Sequence, residues 1–582
     1  MAVASTIARI RVGTVQELAQ DKVRIVHGAD VPIAVFAADG RFYAVDNRCP
    51  HMGFPLQRGT VKDGLLTCHW HEARFDLASG CTFDLWADDV PAYDVTVDDG
   101  VVYVSPVPRV RADASYYRMR LLRGMEQDIG LIQAKALLGL LSADGDVKEV
   151  IRAVADFALR NLEIWSEGMV RLTCVTNLFP VLSAETRYYA MFYAVRRIAD
   201  EASESVPRRE RHPLDTEAHD FETLKRWLRQ WVITRHRDGA ERTILTAVER
   251  GFPKTLLADL VFGVAAERPY ADRGHVFDFH NKIFELNETL GNEYVAPFLA
   301  MGVPALVRSR GGEESTEWHH PIEIIEPLRA LERELPNLLK TGHNSSWRDD
   351  GQLADILLGD EPVTVLRALQ DALEAGAPPT ELAKRVAYAA ALRLAQFSLA
   401  NEVGDWFNPR HTFIYANAVH QAVRRSPTPD VVRAIRHAAI AVYLDRYLNV
   451  PPARLPEDDD LDDLPREPRA LREGLLDCLN RWGQVDLAAR YVARYLRLGL
   501  PAPELFDTLA YATLREDLDF HTFQVLEAGV RQFSEWHGRP EAEHILIGVV
   551  RSLAALCPTP RAQLQTANIA LRLHRGEELY TE

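Results

Sequence analysis

Cysteine is scarce in this sequence. Six in 582 residues is far too few for a disulfide scaffold. Long apolar runs are missing as well, so nothing reads as a membrane-spanning helix. The opening segment MAVASTIARIRVGTVQELAQ soon turns polar and lacks the apolar core of a targeting signal. Positive charge is in deficit: 67 Lys and Arg against 83 Asp and Glu give a net charge of −16. Such a surface argues against binding to phosphate backbones and against anchoring on anionic lipid. These absences together lead us to expect a cytoplasmic protein with no nucleic-acid or membrane partner. Motifs are missing too. No G-x-G-x-x-G follows a predicted strand, so no nicotinamide or flavin domain is expected. G-x-S-x-G, H-E-x-x-H and a phosphate loop are also absent, which ranks a hydrolase last.

What is present is ordinary globular composition, 47% hydrophobic and 26% charged. The pattern changes near residue 107. Before it, KVRIVHG, PIAVFAA, RFYAVDN and GVVYVSP read as short strands, with the turn pairs Asp39-Gly40 and Asp99-Gly100 beside them. After it, apolar residues recur at three and four, as in LIQAKALLGLLS and DVKEVIRAVADFALRNLEIW. Pro/Gly pairs separate long helices, and PEDDDLDDLPRE (456–467) reads as a solvated loop. The expected fold is multidomain: an all-β module at 1–107 and a large all-α domain at 108–582. An internal echo, His411-Thr412-Phe413 then Ala418 against His521-Thr522-Phe523 then Ala528, would suit two related helical halves, about 108–345 and 346–582.

The sharpest motif is Cys49-Pro50-His51, then Cys68-His69-Trp70-His71. Two thiolates and two imidazoles can hold zinc. Here each loop supplies one of each, which suits a [2Fe–2S] cluster with two Cys on one iron and two His on the other. NRCPHMGFPLQRG and LLTCHWHEARFDLASG resemble the two cluster loops of the Rieske domain family, and VPAYDVTVDDGVVYVSP resembles its closing strands, so the likeness spans residues 7–106. It implies a [2Fe–2S] cluster on Cys49, His51, Cys68 and His71, working as a one-electron relay. The extra cysteine pair of respiratory members is absent: Phe54 and His69 or Trp70 stand at those positions, so the resemblance is to the ferredoxin and oxygenase type. The other cysteines, Cys81, Cys174, Cys478 and Cys557, are scattered and read as small hydrophobes.

With no nicotinamide or flavin motif, electrons must come from an external NAD(P)H-dependent reductase or ferredoxin, and the acidic surface suits a basic partner. An acceptor is sought among the histidines after residue 107. His212, His219, His236 and His343 sit in charged or loop-like contexts and are set aside. Those in apolar surroundings are His275, His280, His411, His420, His437, His521 and His544. Asp272, His275 and His280 have a spacing that resembles the facial triad of ring-hydroxylating oxygenases, although those enzymes carry it in a β-rich domain. GHVFDFHNKIFEL, HTFIYANAVHQAVRRSPTPDVVRAIRHAAIAVYL and FHTFQVLEAGVRQF resemble the helical questin oxidase-like family. That resemblance nominates His275, His411, His437 and His521 as catalytic ligands of a mononuclear non-haem Fe(II), with Lys282 as a carbamate. It implies an oxygenase acting with O2 on an aromatic or polycyclic small organic substrate, in a cavity lined by Phe277, Phe279, Phe284, Tyr415 and Tyr443. A homo-oligomer, with transfer across a subunit boundary, is compatible with this reading. The alternative is an electron-transfer or redox-sensing protein whose helical domain is a metal-free docking scaffold.

Overall fold

Asp-Gly turns set the register of the first hundred residues. Asp39-Gly40, Asp63-Gly64 and Asp99-Gly100 all have positive φ at both positions, the conformation that lets a two-residue turn follow the twist of a hairpin. The computed structural model describes residues 9–27, 31–110, 112–142, 146–215, 220–341, 347–349, 351–446, 450–577 and 579. The strands are β1 (Ile10–Thr14), β2 (Val23–His27), β3 (Pro32–Ala38), β4 (Arg41–Asp46), β5 (Thr60–Lys62), β6 (Leu65–Thr67), β7 (Arg74–Asp76), β8 (Ala92–Asp98) and β9 (Val101–Pro108). Six form an antiparallel sheet in the order β1-β9-β8-β4-β3-β2, and β5-β6-β7 form a second. Alternation along β3 divides its side chains between two cores. Ile33 and Val35 join Leu18 and Val102, whereas Ala34 and Phe36 join the core that contains Cys49 and Cys68.

The chain forms two compact units, 1–153 with 564–582, and 154–563. The change of period marks residue 107, but packing carries the first unit further. Helices Ala114–Glu126, Gly130–Ser142 and Gln565–His574 belong with the β module. Gly130–Ser142 is apolar on most of its surface and packs against both of the others. Periodicity shows that a helix has faces to bury, not which neighbour buries them. The suggested division at 345/346, and also His219 and His343, lie outside the described residues.

The second unit is helical among its described residues. At its centre Glu167–Leu178, His275–Leu290, Phe407–Arg425 and Phe520–Glu535 pack in a closed ring, each against the next. Such bundles place site residues on their inward faces. No described helix is long and apolar enough to cross a membrane.

Candidate metal centres

Two loops of matching design carry the Cys and His pairs. Cys49 N–H donates to the Phe54 carbonyl (2.8 Å) and Gly53 N–H returns to the Cys49 carbonyl (2.7 Å). Cys68 N–H donates to Ala73 (2.9 Å) and Glu72 N–H returns to Cys68 (3.0 Å). Gly53 (φ 84°) and Glu72 (φ 63°) take the left-handed turn at equivalent places. Both sulfurs are buried, with Cys49 3% and Cys68 1% exposed, and both cysteines are free. Each sulfur's charge is felt by the other, which lowers the Cys68 thiol and, together with burial, raises Cys49. The His51 and His71 rings lie 4.8 Å apart at 85°. Burial holds His51 neutral, its pKa lowered to about 4, and its Nδ1 is buried without a hydrogen-bond partner. Two inner thiols, two outer imidazoles and an orphaned ring nitrogen fit a [2Fe–2S] cluster bound through two Cys and two His.

The second candidate lies where three bundle helices begin. His275 is the first residue of its helix, His521 the second and His411 the fifth. One donor nitrogen from each lies within 4.8 Å of the others. Ring centroids are 4.9 Å apart for His275 and His411, 5.1 Å for His275 and His521, and 4.2 Å for His411 and His521. His411 Nδ1–H donates to the Phe407 carbonyl (2.7 Å), leaving Nε2 with its lone pair, buried and without a partner. That is the tautomer a metal ligand needs. Both ring nitrogens of His521 are without a hydrogen-bond partner, with Nδ1 3.5 Å from Asp519 Oδ1. Burial lowers His275 to about 4 and His411 to about 2, and helix N-termini further disfavour imidazolium. Phe279, Phe407 and Phe520 stand against the rings at centroid distances of 5.4, 3.8 and 3.9 Å.

The approach to His275 is strained. Tyr270, Asp272, Arg273 and Gly274 have φ of 49°, 46°, 55° and 90°, and each non-glycine residue there costs roughly 1–2 kcal/mol. The loop is clamped. Asp272 N–H donates to the Arg310 carbonyl (2.8 Å), Arg310 N–H donates to Asp272 Oδ1 (3.0 Å), and Arg273 reaches Asn408 (2.8 Å). A Cβ on Gly274 would sit 2.6 Å from the Tyr415 Cβ. Strain held in place this way is characteristic of functional loops.

A Rieske [2Fe-2S] domain model matches residues 8–93. Over 100 residues the chain is 36% identical to the 3-phenylpropionate/cinnamic acid dioxygenase ferredoxin subunit of Photorhabdus laumondii subsp. laumondii, covering 17% of this chain and 94% of that protein. The chain belongs to the Rieske [2Fe–2S] domain family. It is also 45% identical over 51 residues to 4beta-methylsterol monooxygenase of Methylococcus capsulatus, covering 9% of this chain and 14% of that one. Among solved structures, the ferredoxin of carbazole 1,9a-dioxygenase from Nocardioides aromaticivorans is 27% identical over 17% of this chain and 99% of its own, with a TM-score of 0.17. These Rieske matches cover less than a fifth of the chain.

Not every nominated residue joins the histidine cluster of this Rieske protein. His437 does not: its Nε2 is 2.6 Å from Glu332 Oε1, and both are buried. Lys282 does not: its ammonium pairs with Glu285 (3.0 Å) and Glu527 (2.5 Å). A carbamate there would set a third anion against two carboxylates. His280 turns away, its Nδ1 donating to the Val276 carbonyl (2.6 Å), so Asp272, His275 and His280 do not converge. Of the expected cavity residues, Phe279 stands beside His275. Phe277 and Phe284 pack on Phe262, Tyr415 packs on Tyr270 and Phe277, and Tyr443 belongs to the core around Trp318.

One polar pair escaped the sequence reading. Asp278 lies three residues after His275 and Gln524 three after His521, one turn deeper on the same faces. Gln524 Nε2 donates to Asp278 Oδ2, and Asp278 Oδ1 is without a partner. The signal is a polar residue at i+3 from His275 and from His521, where an apolar one, such as Ile414 at i+3 from His411, would be ordinary.

Proposed function

We propose that this protein is a Rieske-type oxidoreductase, an oxygenase in which His275, His411 and His521 hold a mononuclear non-haem iron. Cys49, Cys68, His51 and His71 hold the [2Fe–2S] cluster, which supplies electrons one at a time. A reductase or ferredoxin feeds it, because the sequence has no nicotinamide or flavin motif of its own. An iron held by His275, His411 and His521 would supply the activation of O2 beside a substrate. The observation that carries this reading is the meeting of three imidazoles from three helices with the Nε2 atoms of His411 and His521 unpartnered. Unpaired buried polar atoms are costly, and a bound ion relieves that cost.

The chain's own groups have definable tasks. The Phe407 carbonyl fixes the His411 tautomer. Asp519 sets a carboxylate 3.5 Å from His521 Nδ1. Phe279, Phe407 and Phe520 limit water and present apolar surface to an aromatic or polycyclic substrate. Ferredoxin subunits of aromatic dioxygenases, among the relatives, deliver electrons in systems of that kind, which supports the substrate class.

Iron analysis tests the reading. Wild-type protein should carry three irons per chain, and His275→Ala should retain two with the Rieske EPR spectrum intact. Two irons per wild-type chain, all in the cluster, would refute the oxygenase reading and leave an electron carrier.

A further inference from the structure

The first cluster loop is gripped by a residue outside the stretch matched to the family. Lys135, on helix Gly130–Ser142, sends its ammonium to the carbonyls of both Pro50 and His51, the latter at 2.8 Å. Asp88 Oδ2 is 3.8 Å from the same nitrogen. Arg120 in turn holds Asp88 at 2.7 Å and donates to the Ala87 carbonyl at 3.1 Å. Two cations therefore face one anion beside the loop, leaving a net positive charge.

The choice of carbonyls matters. The Pro50 carbonyl shares a peptide unit with the His51 N–H, and the His51 carbonyl shares one with the Met52 N–H. Both N–H groups lie in the loop that carries Cys49, and each favours the thiolate form of its sulfur. A cation on the oxygen of a peptide polarises its N–H, and linked hydrogen bonds strengthen one another in this way. The ammonium thus acts on the sulfur through two peptides as well as directly through space. At a half-buried site neither effect is screened as a surface charge would be.

We propose that Lys135 is a positioning residue that raises the reduction midpoint of the cluster. The inference rests on the reading of Cys49 and His51 as ligands. The step is the gain of one electron from a reductase or ferredoxin, with no bond made or broken. The reduced form carries one more negative charge, so a fixed cation and the loop peptides it polarises both favour it.

The test is a spectroelectrochemical titration of the full-length, cluster-loaded chain. Lys135→Met should lower the equilibrium constant for reduction about tenfold, ~59 mV for one electron, with the Rieske EPR spectrum retained. Lys135→Arg, which keeps the charge, should stay within about threefold of wild type. Asp88→Asn, which removes the counter-charge, should raise the constant about threefold. An unchanged midpoint in Lys135→Met with the spectrum intact overturns the proposal, as do equal falls in Lys135→Met and Lys135→Arg. Should Lys135→Met fail to fold, Asp88→Asn decides: a rise supports the role, and no change or a fall overturns it. A wild-type chain without any Rieske spectrum would instead overturn the ligand reading, and the role of Lys135 with it.

Discussion

Asp278 should make the helical unit less stable as the pH rises. It is 1% exposed, with one carboxyl oxygen bonded by Gln524 and the other without a partner. Burial raises its pKa from 3.8 to about 7, against the opposing pull of Lys282 and Gln524. The folded state therefore binds this proton more tightly than the unfolded state does. The resulting stability is fully present below about pH 4, where both states are protonated, and is lost as the pH climbs through 7. A displacement from 3.8 to about 7 corresponds to about 4 kcal/mol. Asp278→Asn imitates the protonated acid at every pH. Urea unfolding of both proteins at pH 5, 6, 7 and 8, followed by circular dichroism of the helical transition, would show the contrast. The variant should gain on wild type by about 1.4 kcal/mol per pH unit between pH 5 and 7, levelling off above 8. A pH-independent difference would refute the reasoning. So would wild type gaining on the variant as pH rises, since Asp278 would then be an ionised partner of Lys282.

Two further substitutions separate the histidine cluster from its surroundings. Gly274→Ala forces a Cβ to 2.6 Å from the Tyr415 Cβ at φ 90°, so it should displace His275 and lose the third iron while the Rieske EPR spectrum is unchanged. His437→Phe removes the partner of Glu332 Oε1, leaving Arg329 on Oε2; it should lower the thermal midpoint yet leave iron content at the wild-type value, and a loss of iron would return His437 to the ligand set.

The β module and its loops were legible because their signals are local. Spaced Cys and His residues, and Asp-Gly pairs, dictate structure within a few residues. The helical unit was legible only in class. His437 and His411 both sit on apolar helices, and nothing near either in sequence tells them apart. What separates them is Glu332, which lies 105 residues before His437 and bonds its Nε2, whereas His411 Nε2 meets no carboxylate. Lys282 illustrates the same limit, since one of its carboxylates, Glu527, is 245 residues distant.

The repeated His-Thr-Phe triplet is a long-range cue within the sequence itself. In the fold, His411 and His521 face each other with centroids 4.2 Å apart. Each following threonine ties the arrangement together: Thr412 bonds Tyr270 on the strained approach to His275 (3.2 Å), and Thr522 accepts from Arg410 (2.9 Å). The triplets therefore deliver an imidazole and a brace together at a helix start. A bundle selected for stability alone would fill such a position with apolar side chains, because imidazoles with unpartnered nitrogens forfeit hydration without return. Three helix starts, a clamped left-handed loop and two braces converge on those nitrogens, which is the pattern expected when a ligand restores what burial removes.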